Sequence, residues 1–222
     1  MYVDSHDVLQ ALFRWIHILA GITWIGLLYF FNFMNAHVLS ALEDSVRRQL
    51  VPELMLRTLW WFRWGAMLTF LSGYLLLLWK YFLLGSGVMG DAGLLGSSAG
   101  LWISLGAVFG TLMWWNVWFI IWPAQQQLIS WTRAGKTPPE QPATAKKALL
   151  ASRVNTFLSV PLIFAMLAGS GHYPSIGFQP LSVILVLGMG FGLAYGLIFR
   201  VGPVVGKTEG KTEGKTGDKT EK

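Results

Sequence analysis

In this chain of 222 residues 54% are hydrophobic and only 13% charged, against about a quarter charged in an ordinary soluble domain, so a membrane fold is expected rather than a water-soluble one. The absence of cysteine excludes disulfides, thiolate metal sites, iron–sulfur clusters and covalent c-type haem, leaving His6, His17, His37 and His172 as the strong nitrogen ligands. In so apolar a chain the net charge of +6 reads as a membrane-orientation signal, and nucleic-acid binding is not expected.

A bilayer-spanning helix needs about 20 mostly apolar residues. Five stretches meet that test: Val8–Val38, Trp60–Phe82, Leu101–Trp122, Leu149–Ala168 and Phe178–Phe199. The expected fold is therefore all-α, a polytopic bundle of about five transmembrane helices. The first stretch lacks a basic leader and is too long for a signal-peptide core, so no cleavable signal is expected. It is also longer than a bilayer requires and should tilt or project.

Charge in the connections sets the orientation. Arg47, Arg48 and Arg57 lie between the first two stretches, and Arg133, Lys136, Lys146, Lys147 and Arg153 lie between the third and fourth. The other connections carry almost no Lys or Arg, and the start of the chain carries Asp4 and Asp7. The positive-inside rule then puts the N-terminus outside and the C-terminus in the cytoplasm. The Pro-rich segment from Ser130 to Lys147 reads as an exposed cytoplasmic linker. Residues 1–200 form the helical domain, and 201–222, with repeated Lys-Thr-Glu-Gly, read as a disordered charged tail.

Small and aromatic residues hint at packing. Gly106 and Gly110 form a GxxxG pair, and Gly188, Gly192 and Gly196 a glycine stripe. Both read as faces for close helix approach within the bundle, in preference to a homodimer seam. Trp60, Trp61, Trp64, Trp114, Trp115, Trp118 and Trp122 fit an interfacial belt; Trp24 lies deeper than a belt position.

The polar residues sort into two layers. Steps of three and four from Arg14 reach His17, Gly21, Trp24, Leu28, Phe31 and Asn35, so one face of the first helix carries ionisable groups that should face protein. The outer layer holds His6, Arg14 and His17, with His172, Tyr173 and Pro174 after the fourth helix. Here His17 is the best candidate ligand for a b-type haem iron, His172 a second, and Arg14 a partner for a haem propionate or a quinone oxygen. The alternative is that His17 hydrogen-bonds between helices and His172 is an ordinary loop residue. His6 cannot share an iron with His17, about 15 Å away along a continuous helix.

The inner layer holds Asn32, Asn35, His37, Arg63, Asn116, Gln125, Arg153, Asn155 and Thr156. Arg63 and Arg153 would supply charge and fork geometry, and Asn32, Asn116 and Asn155 paired donors and acceptors, for an anionic or amide-rich small molecule such as a purine. Against this stands a structural reading, in which the arginines snorkel and the asparagines join helices.

The segments RWIHILAGITWIGLLYFFNF, VPELMLRTLWWFRWGAM, WWNVWFIIWPAQQ and ASRVNTFLSVPLIFAML, followed by HYP, resemble the N-terminal membrane domain of bacterial membrane-bound urate oxidases, or urate hydroxylases. The matching segments span roughly Phe13 to Pro174. The resemblance implies urate oxidation with electrons passed toward a respiratory chain, through a C-terminal c-type cytochrome in full-length members. This chain has no CxxCH motif, so the implied acceptor is a separate cytochrome, a quinone or another subunit. The expected site is then Arg63, Asn116, Arg153 and Asn155 around urate, with electrons moving past Trp24 toward His17. The competing expectation is a non-catalytic membrane subunit or assembly factor of a respiratory complex. A permease is disfavoured because five helices show no inverted repeat.

Overall fold

The computed structural model describes residues 5–85 and 87–203. Among them the fold is all-helical, without strands, and five helices are long and apolar enough to cross a membrane. They are α1 (Ser5–Leu39), α2 (Asp44–Leu83), α3 (Ser98–Arg133), α4 (Gln141–Gly169) and α5 (Pro180–Val201). The charged tail expected at 201–222 lies outside the described residues from 204 onward.

The helices run well past the apolar stretches. Helix α2 begins at Asp44 rather than near Trp60, and α3 continues to Arg133 rather than ending near Trp122. These extensions are amphipathic and escape a test that asks for lipid-length apolarity. In the first turns of α2, Asp44 pairs with Arg47, Glu53 approaches Arg57 one turn on, and Pro52, Met55 and Leu59 are buried. Past Trp122, Ala124 and Ile129 are buried while Gln126 and Arg133 face outward. The linker read from Ser130 to Lys147 therefore shrinks to residues 134–140. Gly135, which takes φ +63, ends α3, and Pro142 follows in the first turn of α4, where its missing N–H costs nothing.

Helices α1 and α2 pack as one antiparallel pair and α3 and α4 as another, with α5 on the far side of α4. Lipid tails are as apolar as leucine, so helices in a bilayer are joined by shape and by interhelical hydrogen bonds rather than by water exclusion. Both are present. Gly106 lets Ala165 and Met166 of α4 approach, and a Cβ on Gly169 would stand 2.3 Å from Ile103 Cγ1. Leu28, Leu59, Phe62, Met113 and Val117 fill the shared interior. Tyr29 Oη meets Ser159 Oγ at 3.0 Å, and Asn116 Nδ2 donates to Asn155 Oδ1 at 2.8 Å.

The glycine stripe on α5 behaves differently from the expectation. Gly188, Gly192 and Gly196 face open space, with no atom within 4 Å of an added Cβ, while Gly190 meets α4 at Pro161. The 3.6-residue period puts 190 on the opposite side from the stripe, and the bulky Pro161 ring is what requires a glycine there.

Four π-helical turns interrupt the bundle, at Phe30–Asn35, Leu78–Leu83, Asn116–Ile121 and Leu197–Val201. Each re-aims the side chains around it. The first buries both Asn32 and Asn35, three residues apart.

Candidate functional site: a cleft at the basic end of the bundle

The ends of α1 to α4 that carry the α1–α2 and α3–α4 connections enclose a cleft of about 610 Å³. That is the size of an ordinary small-molecule site. Two of the π turns contribute to its wall, through Phe31, Asn32 and Asn35 from the first and Ile121 from the third. Leu59, Met55 and Ile129 give an apolar floor, and Gln125, Ser152, Thr132 and Gln141 add hydrogen-bonding groups. Asp44, Arg47, Arg48 and Lys136 stand at the connections. Asp44 is engaged by Arg47, while Arg48 and Lys136 make no ion pair among the described residues, so the local balance is positive.

Asn32 is 5% exposed. Its Nδ2 donates to the Leu28 carbonyl at 2.9 Å and to Ser152 Oγ at 2.8 Å, and its Oδ1 has no partner among the described residues. Asn35 Nδ2 reaches only Met55 Sδ, a weak acceptor, at 3.6 Å. Two buried amides in one wall thus hold unused or poorly used hydrogen-bonding capacity, which a bound polar molecule would satisfy.

The four residues expected to surround a substrate are not brought together there. None of Arg63, Asn116, Arg153 and Asn155 lines the cleft. Asn155 is fully buried, accepts from Asn116 and donates to the Met113 carbonyl at 3.0 Å, so this pair ties α3 to α4. Arg63 lies on the α2–α3 flank, its guanidinium carbon 4.1 Å from the Trp122 ring centroid and 4.6 Å from that of Trp118. Arg153 points to α5, 5.0 Å from the Phe199 ring centroid. Arg153 and Asn155 are two residues apart on α4, about 200° around the helix, which is why they serve opposite faces.

At the opposite end His17 is half-buried against α2. Its Nδ1 lies 2.9 Å from the Thr69 carbonyl and 3.3 Å from Ser72 Oγ, and Gly73 makes room for the ring. A carbonyl can only accept, so Nδ1 carries the hydrogen and Nε2 is the ring's remaining lone pair. Such backbone anchoring is also how ligating imidazoles are oriented. The residues here fit one imidazole contact. His172, in the turn after α4, is exposed, and neither a hydrogen bond nor a ring contact joins it to His17. Among the described residues no group of three or more His, Cys, Asp or Glu side chains is placed to hold a metal ion. Arg14 is exposed on α1 close to Lys80. Trp24, 2% exposed, sits in the core with Nε1 lacking an acceptor among the described residues.

Asn32, Asn35 and Gln125, expected in the inner layer, line this cleft, and so do Arg48, Met55, Lys136, Gln141 and Ser152, which the sequence reading leaves out of that layer. Most of the missed residues fall in segments taken as loops. An amphipathic-helix search over 44–59 and 121–133 finds the walls, because Pro52, Met55 and Leu59, and Ile121, Gln125 and Ile129, repeat at helical spacing.

Fold and cleft together define a multi-pass helical membrane protein with a polar, basic site at one end. Residues 93–201, which comprise α3, α4 and α5, match the family model described as urate oxidase N-terminal, so this part of the chain is similar to that domain. No curated protein and no solved structure matches it. The matched segment supplies Ile121, Gln125, Gln141 and Ser152 to the cleft, and α1 outside that segment supplies Asn32 and Asn35.

Proposed function

We propose that this protein takes part in urate oxidation at a bacterial inner membrane, binding urate in the basic-end cleft and passing electrons to a separate acceptor. The observation that carries the reading is a small-molecule-sized cleft with underused buried amides and with cations that form no ion pair among the described residues, in a chain similar to the urate oxidase N-terminal family over residues 93–201. Urate is a planar monoanion rich in amide-type donors and acceptors. Asn32, Asn35 and Gln125 match its edges, Leu59 and Met55 its faces, and Arg48 and Lys136 its charge.

Hydroxylation of urate adds one water oxygen and releases two protons and two electrons. Those electrons need an acceptor such as a haem or a quinone, which would supply the one-electron steps. His17, through Nε2, is the side chain best disposed to contact either group, and the basic connections support a cytoplasmic position for the cleft.

The test is urate binding and turnover by the full-length protein in bacterial membranes, with a quinone or cytochrome acceptor supplied. Saturable binding that Asn35→Leu weakens supports the cleft. A wild-type protein that neither binds nor consumes urate removes the reading. Visible spectra of the oxidised and reduced protein test the haem, since purified protein without haem bands leaves only the quinone contact for His17.

A second reading has its own observation. The open glycine face of α5 suits close approach of another helix, as in a non-catalytic membrane subunit of a respiratory complex. Stable co-purification of a cytochrome or oxidase without urate binding would favour it.

A further inference from the structure

Arg63 is half-buried on the flank of α2 facing α3, and three indoles attend it: Trp122 at 4.1 Å, Trp118 at 4.6 Å and Trp64 at 5.6 Å from the guanidinium carbon to the ring centroids. No hydrogen bond or ion pair reaches Arg63 among the described residues. Ring faces offset part of the cost of a cation in an apolar seam, but they accept none of its five N–H groups. Arg63 Nε and the Nε1 atom of Trp118, one of the attending rings, are buried donors without an acceptor among the described residues. Two unmet donors at one cation are hydrogen-bonding capacity that an anion would satisfy.

Its depth and surroundings identify the anion. Exposed Trp60 and Trp61 flank Arg63, as indoles do at a headgroup boundary, and the ion-pairing residues Glu53 and Arg57 follow toward the basic end. The seam continues in that direction as a groove of about 470 Å³, where Gln126, Ser130 and Arg133 of α3 face Leu56 of α2. Trp122, Gln126, Ser130 and Arg133 recur every three or four residues, so groove and cation box share one face of α3.

We propose that the α2–α3 seam is a binding site for an anionic phospholipid of the leaflet at the basic end. The phosphodiester sits on Arg63, a hydroxylated headgroup extends into the groove by Gln126 and Ser130, and the acyl chains run back along Trp118 and Trp114. A guanidinium presents paired donors that match a phosphate, which a lysine ammonium cannot do. The site is not the urate cleft, whose lining does not include Arg63, though Ile129 stands between cleft and groove; loss of lipid protection and loss of urate binding are read by separate measurements.

The test uses the full chain, delipidated in a neutral detergent, with thermal unfolding followed as lipid is added. Phosphatidylglycerol raises the midpoint and phosphatidylcholine at equal mole fraction does not. Arg63→Gln weakens the apparent phosphatidylglycerol affinity about tenfold, Arg63→Lys restores only part of it, and Arg57→Gln leaves it unchanged. Should Arg63→Gln fail to fold, Ser130→Phe, which fills the groove and keeps the cation, gives the same loss. Equal protection by inorganic phosphate would make the ligand a free anion and overturn the proposal. So would equal protection by phosphatidylcholine, or full protection of Arg63→Gln or Ser130→Phe.

Discussion

The α3–α4 interface and the basic-end cleft are built from the same kind of helix and reach opposite results. Along α3 and α4, Gly106, Ala165, Ala168 and Gly169 bring the backbones together and Trp102 closes the gap with its Nε1 on the Ile176 carbonyl at 3.1 Å. Around the cleft, π turns replace regular winding, and Asn32, Asn35, Gln125 and Ser152 face a space they do not fill. Small residues without polar capacity make a seal, and medium-sized amides on irregular turns make a cavity. The two regions should therefore fail differently when substituted.

The largest effect belongs to the seal. At Gly169 even a methyl group would overlap Ile103 and stand 2.9 Å from the Ala99 carbonyl, whereas at Gly192 it meets open space. Gly169→Ala should destabilise the protein by about 3 kcal/mol, seen as a lowered unfolding midpoint in detergent. Gly192→Ala should leave that midpoint unchanged or slightly raised, because alanine favours the helix. Equal effects at the two positions would mean that α3 and α4 are not in this close contact.

A smaller loss is expected at the polar rivet between these helices. Asn155→Leu leaves the Asn116 amide without its acceptor and the Met113 carbonyl without its extra donor, at a cost of about 1–2 kcal/mol. Replacing both asparagines by leucine should recover part of that cost, since no polar group is then stranded. A double-mutant cycle without coupling would show that the pair does not join α3 to α4.

Much of the seal was legible from spacing alone, and the cleft was not. Gly106 and Gly110 repeat at four residues in an apolar helix, and their small size has one main use there. The glycines of α5 carry the same pattern, yet they face away from the bundle, because a period identifies a face without saying what covers it. Arg63 and Arg153 were paired in one pocket on the strength of charge and depth; rotation about α2 and α4 sends them to separate aromatic faces. Spacing puts Asn35 on the protein-facing side of the first helix and depth puts Asn32 in the same layer, but the residues opposite them lie on amphipathic turns beyond the apolar spans. Hydropathy reports where lipid is, and the cleft begins where lipid ends.

In the cleft the expected change is in binding rather than stability. Asn35→Leu removes only a weak bond to Met55 Sδ, so folding should be nearly unaffected, while urate affinity falls about tenfold through the loss of one well-placed amide. Titration of both proteins with urate in membranes or detergent measures the ratio. An unchanged affinity would move the substrate out of this cavity.

The smallest effect should be at Arg153, and it separates the cleft from the arginine pocket most sharply. If Arg63 and Arg153 clamped the substrate anion, Arg153→Gln would abolish turnover, since a buried charge partner would be gone. In this fold the Arg153 guanidinium lies over Phe199 toward α5, outside the cleft lining, and the substitution removes one cation–π contact worth about 0.5–1 kcal/mol at a partly exposed site. Urate affinity should then change by less than about twofold, because a charge separated from the ligand by a packed helix and near an interface is strongly screened. Side-by-side titration of Arg153→Gln and Arg48→Gln makes the comparison direct: both remove one positive charge, but only Arg48 lines the cavity, and only its loss should weaken binding. The reverse ranking would return the substrate to the arginines and leave the cleft as a gap between helix ends.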